Sequence, residues 1–167
     1  MYNNIKDSEM INEGKIISFY GAKKGMTPRQ ELAVFDEITR NFPIKEFRHC
    51  DTIGATEKVH DTLIRDWKDI AIKMFPFDNP DARAFCATLD NVIIEPEQSA
   101  SDATKNMCEG SDVLIAAPGD DSEFGGTWVA IRIAKKLNVR KIIIIMPDAE
   151  RREWPLSELM PYKWRKK

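Results

Sequence analysis

The sequence predicts an α/β domain, and three observations carry that prediction. Short, nearly unbroken apolar runs recur along the chain: "KIISFYG" at 15–21, "DVLIAAP" at 112–118 and "RKIIIIMP" at 140–147. Between such runs lie segments whose apolar residues repeat at helical spacing. Glycine or proline closes each of these runs, as at a turn. Strands that lack polar alternation are buried on both faces, which calls for parallel pairing with helices above and below. The expectation is a Rossmann-like three-layer domain with a mostly parallel sheet of about five strands. It spans 15–148, between a flexible N-terminal arm (1–14) and a C-terminal tail (149–167).

Each element follows from its residues. "KIISFYG" is the first buried strand. "TPRQELAVFDEITRNF" (27–42) is a helix, with Leu32, Phe35, Ile38 and Phe42 at its spacing. Thr27 is its N-cap, Pro28 occupies the first helical position, and Gln30 completes a capping box. "IKEFRHC" (44–50) reads as a second strand, then a glycine turn leads into a helix over 55–67. "DIAIKMFPF" (69–77) is a third strand ended by Pro76. Residues 78–97 have no clean period and read as a long loop with one short strand, and such loops are more often functional than idle. A helix over 100–111, the strand at 112–118, a helix over 125–137 and the strand at 140–147 complete the pattern. The tail is polar, broken by proline and basic at its end, yet carries Trp154, Leu156, Leu159, Met160 and Trp164.

Composition narrows the function classes. At 167 residues one domain with a sizeable core is expected. The net charge of -2 gives no general affinity for nucleic acid or anionic membranes. Cys50, Cys86 and Cys108 share no close spacing, so neither a disulfide framework nor a zinc site is expected. No apolar run approaches the ~20 residues of a membrane span, and the polar start is no signal peptide. A cytoplasmic protein without cofactor or metal fits these features.

In parallel sheets, ligands sit beyond the carboxyl ends of the strands. That rule gathers the chemically useful residues at one edge, and each has two readings. Gly21, Ala22, Lys23, Gly25 and Thr27 in "GAKKGMT" can cradle an anion, with Lys23 or Lys24 as counter-charge, or form a turn before a capped helix. Gly125, Gly126 and Thr127 offer the same physics, and function is favoured there because one glycine suffices for a turn. Pro118 ends the strand before them. Arg132 either grips a phosphate or is solvated beside Trp128. Asp51 at a strand end can accept a ribose hydroxyl or cap the turn through Gly54. His49 and His60 are the chain's two histidines, and their spacing supplies no carboxylate partners for a metal. Arg83 in the long loop reaches a ligand or solvent.

The ordered stretches "GAKKGMTPRQ", "HCDTIGATEKVH", "RAF", "SDVLIAAP" and "GGTWVAIRIAKK" resemble the SLOG superfamily of Rossmann-like nucleotide-ligand proteins. That superfamily includes the LOG cytokinin-activating phosphoribohydrolases and the sensor domains of some antiviral systems. Nucleoside deoxyribosyltransferases and nucleotide N-glycosidases share the layout. The resemblance covers roughly 15–147 and implies a nucleotide-derived ligand held at the strand ends. It also implies self-association, since relatives commonly form dimers.

Two departures from the family pattern bear on chemistry. LOG enzymes carry, three residues after the threonine of a glycine–threonine pair, a glutamate that acts on the sugar; Ala130 stands there here. An alanine is neither nucleophile nor base. Many relatives read glycine–aspartate after the histidine, where this chain has Cys50–Asp51. The expected function is therefore binding of a nucleotide-derived phosphate ligand by a sensor, carrier or sequestering protein. The alternative is an N-glycoside hydrolase or transferase, with Glu123 or Asp51 as its catalytic carboxylate.

Overall fold

The computed structural model describes residues 14–155. One seven-stranded sheet runs through it in the order β4-β3-β2-β1-β5-β6-β7. Its strands are β1 (Lys15–Gly21), β2 (Ile44–His49), β3 (Ala71–Met74), β4 (Val92–Ile94), β5 (Val113–Ala117), β6 (Lys141–Ile145) and β7 (Arg151–Trp154). All neighbours pair in parallel except β6 and β7. Four helices flank it: α1 (Pro28–Arg40), α2 (Ala55–Asp66), α3 (Ala100–Cys108) and α4 (Gly126–Lys136). The architecture is a mostly parallel, Rossmann-like three-layer α/β domain. No helix among the described residues is long and apolar enough to cross a membrane.

Strand alternation sorts the core into two halves. Ile17, Phe19, Val113, Ile115, Ile143 and Ile145 point to one face, where Val34 and Ile38 of α1 and Val59 and Leu63 of α2 cover them. Tyr20, Leu114, Ala116, Ile142 and Ile144 point to the other, under Met107 of α3 and Trp128, Ala130, Ile131 and Ala134 of α4. Burial on both faces explains why β1, β5 and β6 read as unbroken apolar runs.

The sheet is wider than the five strands expected. β4 is a three-residue edge whose Ile93 and Ile94 are exposed, so burial imposes no pattern on it. β7 lies beyond 148, in the stretch read as tail, and pairs antiparallel with β6. Its "RREW" sequence looks like loop because it is held by charge: Arg151 pairs with Glu37 and Glu153, and Arg152 with Asp121 and Glu150. Trp154 packs against the second core half, whereas the arm at 1–13 and Leu156, Leu159, Met160 and Trp164 lie outside the described residues.

The inward face of α1 also differs from the expected one. Of the expected residues Ile38 is buried and Phe35 packs against the core, but Leu32 is 69% exposed and Phe42 is exposed, and Gln30, Val34 and Glu37 are buried beside Ile38. Two polar residues take core positions because each is matched: Gln30 by backbone carbonyls and Glu37 by Arg151.

Candidate functional site

The chain places β2, β3 and β4 on one side of β1, then crosses to add β5, β6 and β7 on the other. This reversal opens a crevice beyond the carboxyl ends of β1 and β5, where open α/β sheets hold ligands. A cavity of about 430 Å³ occupies it. Tyr20 and Gly21 at the end of β1, Ala22 to Lys24 just after it, and Pro118 to Asp120 and Phe124 to Trp128 after β5 line it, joined by Thr52, Ile53, Phe77 and Ala82.

At the polar end lies the start of α4. Its N-cap is Gly125, at φ +93°, and no side chain caps the first turn. A helix start presents unpaired N–H groups and the positive end of the helix dipole. Two buried hydroxyls join it. Tyr20 (8% exposed) and Thr127 (6% exposed) both line the cavity, and neither side chain makes a hydrogen bond to any described residue. A Cβ on Gly126 would come within 2.8 Å of the Tyr20 hydroxyl, so the second glycine lets the tyrosine approach the helix start. Burial, with a smaller contribution from Cys50, raises the Tyr20 pKa well above that of an ordinary phenol. The hydroxyl therefore keeps its proton and serves as a donor. Lys23 and Lys24 add positive charge at the rim, and Lys23 forms no ion pair with any described residue.

The other helix start after a glycine loop is closed. Thr27 Oγ1 accepts from the Gln30 N–H at 3.1 Å, and Gln30 Oε1 accepts from the Thr27 N–H at 3.3 Å. The Thr27 hydroxyl also donates to the Pro147 carbonyl. Gln30 Nε2 donates to the carbonyls of Pro118 (2.8 Å) and Ile145 (2.9 Å), tying α1 to the ends of β5 and β6. Thr27 and Gly25 do not line the cavity. Gly54 also serves packing: at φ +91°, a Cβ there would lie 2.2 Å from the Lys23 carbonyl oxygen.

Asp51 is fully buried and points away from the cavity. Its Oδ2 pairs with Arg83 at 2.9 Å, and its Oδ1 accepts from the Cys86 N–H at 2.9 Å. Arg83 also pairs with Glu97 and lies over the Phe85 ring, 4.3 Å from its centroid. Together they clamp the long loop after β3 to the end of β2. Glu123 and Arg132 also stand outside the lining, with Arg132 donating to the Glu123 carbonyl oxygen at 3.0 Å. Asp120 is the carboxylate that lines the cavity among the described residues. Hydrogen bonds from the Ser122 hydroxyl and amide hold its pKa below the ordinary aspartate value. Ala130 is buried in the α3–α4 half of the core, so a glutamate there would have to enter an apolar cluster that includes Tyr20.

His49 and His60 come together with Cys86, their potential ligand atoms within 4.8 Å of one another. Sequence spacing did not foresee Cys86 in that group. The hydrogen bonds assign the protons. Asp51 N–H donates to His49 Nδ1 (2.9 Å), so the His49 proton sits on Nε2 and donates to His60 Nδ1 (2.8 Å). His60 Nε2 then donates to the Ala87 carbonyl (2.8 Å). Every ring nitrogen is used with both rings neutral, and the atom His49 would offer a metal already carries its proton. The arrangement is a buried post under the β2 loop. Burial, then the neighbouring His60, lowers the His49 pKa to about 3. All three cysteines are buried, and burial pushes their thiols up, away from nucleophilic use.

Of the residues singled out from sequence, Gly21, Ala22, Lys23, Pro118, Gly125, Gly126 and Thr127 meet at the cavity. Tyr20, Asp120 and Phe124 are the main additions. Tyr20 follows a strand pattern that marks it only as core, and Phe124 sits in an otherwise polar loop. No family model, curated protein or solved structure matches the chain.

Proposed function

We propose that this protein binds a nucleotide-derived phosphate ligand at the carboxyl edge of the sheet, as a sensor, carrier or sequestering protein. One observation carries the reading: two buried hydroxyls, Tyr20 and Thr127, without a hydrogen-bond partner among the described residues, beside a helix start that no described side chain caps, at the sheet's switch point. A buried hydroxyl without a partner is costly, and an anion with several acceptor oxygens satisfies both groups and the helix N–H groups together. The cavity volume lies within the usual range for small-ligand sites. Its apolar lining from Ile53, Phe77 and Phe124 suits a base attached to the phosphate. The resemblance to SLOG proteins supports the same ligand class.

A glycosidase reading rests on Asp120, since Asp51 is held by Arg83 and neither Asp51 nor Glu123 lines the cavity. A carboxylate with a depressed pKa stabilises positive charge or attacks a sugar carbon better than it moves protons.

The test incubates the protein with nucleoside monophosphates and inorganic phosphate, reading thermal shift and released base in one sample. Binding without base release is the expected outcome. Tyr20→Phe and Thr127→Val should each weaken phosphate-ligand binding about 10-fold or more, the worth of a hydrogen bond to a charged group. Unchanged affinity in both variants would place the site elsewhere. Rapid base release abolished by Asp120→Asn would make the protein an enzyme.

A further inference from the structure

The loop between β5 and α4 presents one large apolar side chain to water at the cavity's mouth. Phe124 is 81% exposed although its neighbours are Asp120, Asp121, Ser122, Glu123 and two glycines. Exposing a phenylalanine opposes the hydrophobic effect, so a mobile loop would fold it inward. This loop is held at three points. Trp128 Nε1 donates to the Asp120 carbonyl at 3.1 Å, Arg152 pairs with Asp121 at 3.1 Å, and Arg132 donates to the Glu123 carbonyl at 3.0 Å. Within it, Asp120 Oδ1 accepts from the Ser122 N–H at 3.0 Å. Glu123 and Gly125, on either side of Phe124, are both left-handed, at φ +62° and +93°. A glutamate rarely adopts that conformation, and here the anchored loop imposes it, fixing where Phe124 emerges.

We propose that Phe124 is the residue that selects a planar heteroaromatic ring on the ligand, by stacking against it at the open side of the cavity. This rests on the anion-site reading, which places the phosphate at the start of α4 directly after Phe124. The strand order sets the rest of the lining. Ile53 and Phe77 follow β2 and β3, on the far side of β1 from the Phe124 loop. On the β5 side the lining holds two aromatic rings, and of these Trp128 is buried and tied to the Asp120 carbonyl whereas the Phe124 ring is open. A rigid, pre-exposed ring loses little freedom on stacking, which favours affinity.

The experiment compares AMP, CMP and ribose 5-phosphate by calorimetry on the natural protein, Phe124→Ala and Phe124→Leu. The nucleotides should bind more tightly than ribose 5-phosphate by on the order of 10-fold, the scale of base–aromatic stacking. Phe124→Ala and Phe124→Leu should both erase that preference while leaving ribose 5-phosphate affinity unchanged. In Phe124→Trp, AMP should quench the new indole's fluorescence and ribose 5-phosphate should not. Equal affinity for all three compounds, or an equal loss for all in Phe124→Ala, overturns the stacking role while the anion site stands. A change in oligomeric state with the base preference intact assigns Phe124 to an interface instead. Failure of every phosphate compound to bind sinks the anion site and this inference with it.

Discussion

Two helix starts in this protein share one sequence grammar, a glycine-rich loop followed by a threonine, and end in opposite states. At α1 the threonine is consumed by its own chain: Thr27 caps the helix, and Gln30 closes the box and bridges two strand ends. At α4 the threonine is buried, lines a cavity and has no hydrogen-bond partner for its side chain among the described residues. The first start is closed by its own chain, and the second turns its donors toward the cavity. A glycine–threonine loop is therefore evidence of an anion site only when nothing in the protein has already answered its donors.

The comparison breaks most visibly at Gln30. Gln30→Leu should leave the carbonyls of Pro118 and Ile145 without their donor and remove half the capping box. We expect a loss of about 3 kcal/mol in a urea titration, the scale of buried polar groups left unpaired. A loss under ~1 kcal/mol would mean the closed start is ornamental.

A second self-satisfied device, the His49–His60 post, should show in the pH dependence of stability. Folding holds the His49 pKa near 3, below the unfolded value of about 6.5. Above that unfolded value both states are neutral, and the group contributes no slope. As pH falls from there toward 3, the unfolded chain takes up a proton that the folded one refuses. Stability should then drop by up to about 1.4 kcal/mol per pH unit from this residue. His49→Asn should flatten that part of the curve, and an identical curve in the variant would remove His49 as its source.

The finest test sets the two threonines against each other. Thr27→Val should cost about 1 kcal/mol as a lost cap and leave ligand affinity alone. Thr127→Val should not lower the stability of the free protein, because it exchanges an unsatisfied hydroxyl for a methyl of the same shape. Matching stability losses in a pair of denaturant curves would erase the distinction between open and closed starts.

What the sequence reveals divides along the same line. β1, β5 and β6 are legible because burial on both faces writes an apolar run, and the Thr27 cap is legible because its partner lies three residues away. The inward face of α1 is only partly legible, at Ile38, because Gln30 and Glu37 are buried by partners remote in sequence, Ile145 and Arg151 among them. β7 is hidden for a related reason, since ion pairs rather than apolar residues fasten it. Asp51 looks like a ribose acceptor until Arg83, 32 residues on, is seen to hold it. The site's glycines could be read from the chain. That the Thr127 hydroxyl meets no described partner could not, because it depends on residues brought near from elsewhere in the chain.

The Arg152–Asp121 pair ties the mouth of the cavity to the edge of the sheet. Asp121 sits on the cavity loop, and the arginine that anchors it comes 31 residues later. In chain order β5, the loop and α4 all come before that arginine. Without β7, the Phe124 loop keeps its local hydrogen bonds to Trp128 and Arg132 but lacks its third tether. The mouth of the cavity is therefore finished by the edge strand β7. The exposed phenylalanine is held at all three points only in a fold whose last described strand is in place.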